Sequence, residues 1–130
     1  MDFGTVQMVA AVHSSTLPDG ASGGNPGGFV VRTKSGAFYY SGDTALTLDM
    51  QLIPRKGPLR FAILCVGDTF TMGPEDALEA ARMVECDEVV GVHCDTWPPI
   101  VIDHKKAKTL FKEAAKTLHL LKAGEGMEFA

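Results

Sequence analysis

The sequence has little positive charge and no run of lysine or arginine residues. Acidic residues outnumber basic ones by 16 to 12, which gives a formal net charge of -4. No basic stripe is interleaved with aromatic residues either. Because nucleic-acid-binding proteins usually carry such a surface, nucleic acid is not an expected partner.

Long apolar segments are also missing. No stretch approaches the roughly 20 apolar residues that a membrane helix needs. The first ten residues, MDFGTVQMVA, lack the basic and apolar regions of a signal peptide. We therefore expect no membrane partner and a cytoplasmic location.

Cysteines are few, and several enzyme motifs are absent. Cys65, Cys86 and Cys94 fit neither a disulfide framework nor a zinc knuckle, so we expect reduced thiols. There is no nucleophile elbow in which GxSxG joins a strand to a helix, no P-loop and no GxGxxG turn. A serine hydrolase is therefore not expected.

Strand and helix patterns alternate along the chain in an order that predicts one layered α/β domain, residues 1–130. Apolar runs predict strands at residues 6–12, 29–32, 37–40, 61–67 and 89–92. The continuous run at 61–67 is typical of a strand buried on both faces. Apolar spacing predicts a helix after Pro74 and one of about four turns, capped by Asp103 and reaching Leu118. The tail, HLLKAGEGMEF at residues 119–129, is expected to add one or two short strands.

Three strands are followed by residues that commonly bind metals. They are His13, Asp43 and His93. Since ligands gather at the carboxyl ends of strands in α/β sheets, these side chains are candidates for one site. Two imidazoles and a carboxylate suit zinc, manganese or iron. Taken singly, each has another interpretation: a loop hydrogen bond for His13, a helix cap for Asp43, and a hydrogen-bonded histidine under Trp97 for His93.

Five stretches resemble the C-terminal half of the metallo-β-lactamase superfamily. They are AAVHSSTLPDG, NPGGFVV, YYSGDTALTLDM, VGDTFTMGPEDA and GVHCDTWPPI. The nearest branch consists of small metal-dependent hydrolases of unassigned substrate, related to the lactonase that opens ascorbate 6-phosphate. This resemblance implies half of a four-layer αββα sandwich, a mixed sheet with flanking helices.

The resemblance also implies roles for individual residues. His13 corresponds to the third histidine of a first metal site, Asp43 to the aspartate that bridges two metals, and His93 to the last histidine, on the second metal. The implied reaction is hydrolysis of a small ester, lactone or phosphodiester by a metal-bound hydroxide, with Asp43 as the catalytic residue that orients it. Histidine ligands also need an acceptor that orients the imidazole, and Asp68, Asp95 or backbone carbonyls are the candidates. Trp97 would wall the substrate pocket or anchor its loop.

The sequence departs from the family in one respect. The motif His-x-His-x-Asp-His, which supplies about half of the family's ligands, is absent from residues 1–130. The resemblance therefore implies an incomplete site, and an inactive binding or scaffold module is the alternative function. Half of such a fold would expose an apolar sheet face, so we expect a homodimer or a complementing N-terminal half chain as partner.

Overall fold

The computed structural model describes residues 3–129, which form one mixed six-stranded sheet with two α-helices. The strands are β1 (Gly4–Ala10), β2 (Gly27–Thr33), β3 (Gly36–Tyr40), β4 (Phe61–Cys65), β5 (Glu88–Val92) and β6 (Thr117–His119). The helices are α1 (Pro74–Met83) and α2 (His104–Glu113). Short 3₁₀ segments span Leu48–Leu52, Pro54–Lys56 and Pro98–Ile100.

The strands lie side by side in the order in which they occur along the chain. β2 pairs antiparallel with both β1 and β3, and the remaining neighbours pair in parallel. β2 is therefore the one strand of this sheet that runs against the others. The loops that leave β1, β3, β4 and β5 emerge at a single edge, where ligands bind in sheets of this kind.

Both helices pack on one face of the sheet. Across this face, directly paired residues form a buried row of Val30, Tyr39, Ala62, Val89 and Leu118. Alanines of α1, together with Ala107 and Phe111 of α2, belong to the same core cluster. The apolar spacing that predicted the helices is thus the spacing of their core contacts. No helix within residues 3–129 is long and apolar enough to cross a membrane.

The opposite face of the sheet carries apolar side chains without a covering layer. We call it the open face, and it comprises Val6, Met8, Phe29, Val31, Phe38, Tyr40, Phe61, Ile63 and Val90. Val6, Met8, Phe29 and Tyr40 are each between 40% and 54% exposed. Contiguous exposed apolar patches of this kind usually mark interaction surfaces.

The last described residues cover one part of the open face. The Phe129 ring stacks on Phe61, with centroids 4.3 Å apart, and Phe61 stacks on Phe38 at 5.0 Å. Arg60 donates a hydrogen bond from Nη2 to the Phe129 carbonyl at 2.7 Å. The remaining open face, towards β1 and β2, is not covered by this segment.

Three predictions about the elements are wrong in whole or in part. The second helix does not continue for four turns to Leu118: it ends at Glu113, Ala115 adopts φ +56°, and Leu118 belongs to β6, where it pairs with Val89. β4 is buried on both faces only at its carboxyl end, where Leu64 and Cys65 are fully buried, because Phe61 and Ile63 point to the open face and are half-buried. The tail does not add the expected strands: β6 ends at His119, and residues 120–129 form none. The hairpin of β2 and β3 and the Asp103 cap are as predicted.

Candidate metal centre

The three candidate ligands line one open cleft at the carboxyl edge of the sheet. The cleft has a volume of about 500 Å³, and His13, Asp43 and His93 share it with two aromatic side chains, Phe70 and Trp97. Each candidate lies within three residues of the end of a strand: β1 ends at Ala10, β3 at Tyr40 and β5 at Val92. The sequence prediction that these side chains meet at one edge agrees with this placement.

Asp43 and His93 are the closest pair. Asp43 Oδ2 lies 3.3 Å from His93 Nε2, and the two side chains are 44% and 32% exposed. A carboxylate oxygen and an imidazole nitrogen at this distance, both reachable from solvent, are suitable donors for a divalent cation.

Asp43 is held in place by a tight turn that leaves β3. Gly42 has φ +61°, and a Cβ at this position would lie 2.9 Å from the Gly27 carbonyl oxygen. Ser41 is fully buried, donates from Oγ to the Gly42 carbonyl at 2.7 Å and accepts from the Cys65 amide at 3.2 Å. Glycine is therefore required where the sequence has it, since a side chain would be strained there and would clash.

Thr44 connects the Asp43 turn to the loop that carries His13. Its Oγ1 accepts a hydrogen bond from the Val12 amide at 2.9 Å and donates one to the Ala45 carbonyl at 2.7 Å. The Ala45 amide in turn donates to the Val12 carbonyl at 2.9 Å. Because Val12 precedes His13 directly, Thr44 fixes the relative position of two candidate ligands.

His93 has a strained backbone and an unpaired nitrogen. Its φ is +57°, which is uncommon for a residue other than glycine. Its carbonyl approaches the loop after β4 so closely that a Cβ on Gly67 would lie 2.1 Å from the carbonyl oxygen. His93 Nδ1 is buried and has no hydrogen-bond partner within residues 3–129. Strain and an unsatisfied polar atom are both features of functional positions.

His13 lines the same cleft as Asp43 and His93. Its Nδ1 is 2.9 Å from the Ser14 carbonyl oxygen, so Nε2 is the nitrogen left for a ligand. In the described part of the chain, no three His, Cys, Asp or Glu side chains are close enough together to hold a metal ion. The donor types fit a divalent metal. His93 Nδ1 is in addition a polar atom with no hydrogen-bond partner among the described residues. The described residues do not, however, complete a coordination shell.

The remaining predicted site residues lie in different places. Trp97 lines the cleft, whereas Asp68 lines a neighbouring cleft of about 220 Å³. Asp95 accepts hydrogen bonds from His104 Nε2 at 2.6 Å and from the Ile102 amide at 3.1 Å. Neither aspartate is hydrogen-bonded to a candidate ligand in residues 3–129. His104 is thus satisfied by Asp95 and does not line the cleft of the candidate ligands.

Cys94, next to His93, has a thiol that stays protonated. Burial, followed by the charge of Asp95, raises its pKa to about 11. The thiolate is the form that binds metals and attacks electrophiles. Cys94 is therefore a structural side chain near neutral pH.

Sequence reasoning did not identify Phe70 and Thr44 as parts of the site. Phe70 lies in the loop after β4, and only the topology brings that loop beside the loop after β5. The signal for Thr44 was its position next to Asp43, although its contact with the His13 loop spans 32 positions of the chain.

An open cleft lined by imidazoles and a carboxylate, at the carboxyl edge of a mixed sheet with helices on one face, is the architecture of a metal-binding α/β protein. The family described as "Beta-lactamase superfamily domain" matches residues 1–94. The chain belongs to this family, which confirms the resemblance found in the sequence.

Its relatives are considerably longer than this chain. It is 50% identical over 127 residues to a protein of Christiangramia forsetii and 45% identical over 122 residues to one of Thermus thermophilus, both named UPF0173 metal-dependent hydrolase. The alignments cover 98% and 94% of this chain but 56% and 54% of those proteins. The chain thus spans about half the length of the curated relatives it matches.

Solved structures also match this chain over about half of their own length. A metallo hydrolase of Ignicoccus hospitalis, 30% identical, matches with a TM-score of 0.79 and covers 92% of this chain and 50% of that one. A metallo-β-lactamase fold protein of Bacillus subtilis, 14% identical, gives a TM-score of 0.68 with coverages of 93% and 47%. The predicted α/β fold, half of a metallo-β-lactamase-like sandwich, is therefore confirmed.

Proposed function

We propose that this chain is the C-terminal part of a metal-dependent hydrolase that cleaves a small ester, lactone or phosphodiester at a binuclear site. The observation that supports this most directly is the Asp43–His93 pair at 3.3 Å, in the cleft that His13 also lines. The names of the relatives, metal-dependent hydrolases, point to the same class of reaction.

In this proposal the three residues have distinct tasks. His13 would hold the first cation through Nε2, His93 the second, and Asp43 both. Zinc suits this donor set, and manganese or iron are alternatives. Two such cations supply Lewis acidity and lower the pKa of bound water. Gly42, Ser41 and Thr44 keep the Asp43 carboxylate at the edge where the substrate would enter.

We further propose that the rest of the family's fold covers the open face and supplies the missing ligands. It would do so from the same polypeptide or from a separate one. The support is the apolar open face, combined with relatives nearly twice as long as this chain. Completion of the sheet sandwich and completion of the metal shell would then be one event.

The first experiment is a metal analysis of the chain purified without added metal. Plasma mass spectrometry would compare the chain with Asp43→Ala and with Asp49→Ala, a control aspartate outside the cleft. Because the described residues alone do not complete a coordination shell, each protein is analysed bound to the N-terminal portion of the Christiangramia forsetii relative, and we expect zinc, manganese or iron that is lost with Asp43→Ala and retained with Asp49→Ala. Equal metal in all three proteins would contradict the assignment of Asp43.

A second experiment restores the missing half. The chain would be co-expressed with the N-terminal portion of the Christiangramia forsetii relative and assayed with ester, lactone and phosphodiester substrates. We expect metal-dependent hydrolysis that Asp43→Ala abolishes. If the two parts form a stable metal-loaded complex that hydrolyses none of these substrates, the proposed activity is refuted.

The open face has its own test. Phe29→Asp places a charge at its centre, whereas Leu48→Asp, at a residue 71% exposed on a 3₁₀ segment, is the control. In light scattering, we expect Phe29→Asp alone to prevent association with the N-terminal portion. Association of the unmodified chain with itself, lost in the same variant, would instead identify a homodimer.

A non-catalytic scaffold is the second candidate function. It is favoured by the lack of any group of three close metal-binding side chains within residues 3–129. The co-expression experiment separates the two, because a scaffold would bind the N-terminal portion through the open face without acquiring metal.

A further inference from the structure

Phe70 and Trp97 form a stacked aromatic pair beside the candidate ligands. Their ring centroids are 5.6 Å apart and their planes differ by 10°. Both rings line the cleft of His13, Asp43 and His93. They are nevertheless 53% and 49% exposed, so the pair presents a large apolar surface at the mouth of the site.

The loop of Phe70 is a closed turn anchored in the core. The Asp68 amide donates to the Met72 carbonyl at 3.0 Å, and the Thr71 amide donates to the Asp68 carbonyl at 2.6 Å. Met72 is fully buried. Phe70 therefore stands at the tip of a short turn whose base cannot move freely.

The loop of Trp97 is fastened to the Phe70 loop. Thr69 Oγ1 donates to the Pro99 carbonyl at 2.7 Å, and the Ile100 amide donates to the Trp97 carbonyl at 3.1 Å. Two consecutive prolines, Pro98 and Pro99, restrict the backbone further. The two rings are thus held as one preformed surface, which is how ligand sites limit the entropy lost on binding.

The charges of the cleft narrow the choice of ligand. Among residues 3–129, its ionisable lining groups are His13, Asp43 and His93, with no lysine or arginine. Lys106 lines the neighbouring cleft instead, where its Nζ lies 3.2 Å from Glu75 Oε1. This chain offers a phosphorylated substrate no lysine or arginine in the cleft, whereas it offers a flat apolar group two aromatic faces.

We propose that Phe70 and Trp97 form the apolar subsite of the cleft, and that the substrate is a neutral ester or lactone carrying an aryl or similarly flat apolar group. This inference rests on the proposed hydrolase function and narrows its three substrate classes. The apolar group would lie against the aromatic pair, with the reacting carbonyl turned towards Asp43 and His93.

The test uses the fluorescence of Trp97, the single tryptophan of the chain. The metal-free chain would be titrated with phenyl acetate, with ethyl acetate, which lacks the ring, and with phenyl phosphate, which carries charge. We expect a saturable change in emission with phenyl acetate and affinities about tenfold lower for the other two. Tighter binding of phenyl phosphate would overturn the neutral class, and equal binding of ethyl acetate would overturn the aromatic subsite.

A matched pair of variants assigns the effect to the aromatic pair. Phe70→Ala removes one ring of the subsite, and Phe3→Ala removes a phenylalanine of similar exposure, 48%, outside the cleft. We expect Phe70→Ala to weaken phenyl acetate binding about tenfold and Phe3→Ala to leave it unchanged. Urea midpoints of both variants verify folding, and an unchanged affinity in folded Phe70→Ala refutes the proposal.

Failure of this inference is distinguishable from failure of the hydrolase function. The fluorescence titration needs neither metal nor turnover, whereas the metal analysis and co-expression assays need no aromatic ligand. Aryl binding without metal would support the subsite and contradict the hydrolase. Metal binding without a preference for the aryl ligand would support the hydrolase function and contradict the subsite.

Discussion

Replacing Thr44 with valine tests whether one buried hydroxyl holds the candidate site together. The substitution keeps the shape of the side chain but removes the hydrogen bonds to the Val12 amide and the Ala45 carbonyl. Thr44 is fully buried, so water cannot replace them. A donor and an acceptor left without partners should cost about 2 kcal/mol of unfolding free energy.

Thr44→Ser is the matched control, because it keeps the hydroxyl and loses one methyl group. It should cost about 1 kcal/mol through the lost packing. Urea unfolding measures both variants. If the valine variant loses no more stability than the serine variant, the hydrogen bonds do not carry the energy assigned to them.

Metal affinity is the second measurement. It tests whether Thr44 positions the candidate ligands, whereas urea unfolding tests its contribution to stability. Thr44 links the Asp43 turn to the backbone next to His13. Thr44→Val should therefore weaken zinc binding about tenfold in the complex of this chain with the N-terminal portion, the form proposed to bind metal. Thr44→Ser should leave the affinity within about threefold of the original value. A valine variant that binds zinc as tightly as the serine variant would refute the positioning role of this hydroxyl.

Three further predictions concern single features of the fold. Gly42→Ala should cost more than about 1 kcal/mol in urea unfolding, because alanine is strained at φ +61° and its Cβ meets a carbonyl of β2; an unchanged midpoint would contradict this. Asp103→Ala should cost about 1 kcal/mol by removing the cap of α2, and Asp103→Ser should restore most of it by the same measurement. Cys94 should react with iodoacetamide at pH 8 about a hundredfold more slowly than an ordinary thiol, because its pKa is raised from 9.0 to about 11. Mass spectrometry of the alkylated peptide gives this rate, and rapid labelling would show that the thiol is not shielded.

The strand ends could be predicted because local patterns determine them. Apolar runs marked β3 and β5, and the polar residues that follow them are Asp43 and His93. The extent of the second helix could not be predicted in the same way. Leu118 continues the helical spacing, but its backbone pairs with β5 and its side chain packs in the sheet row. Tertiary pairing outweighs a local periodicity at that point.

The parts of the site that escaped prediction depend on contacts distant in sequence. Phe70 and Trp97 are 27 positions apart, and their stacking follows from the parallel pairing of β4 and β5. The half-buried side of β4 escaped for a different reason. Phe61 and Ile63 are apolar like the buried Ala62 and Leu64 next to them, so the run itself does not reveal that one face lacks a cover.

The order of the strands bears on how this chain is made. Since each strand pairs with the one synthesised just before it, no early segment has to wait for a distant partner, and no loop larger than the connection between consecutive strands has to be closed. We expect the sheet to grow from β1 towards β6 as the chain leaves the ribosome. Joining it to the rest of a sandwich would then be the docking of two finished layers, a step that does not require both to be encoded in one reading frame.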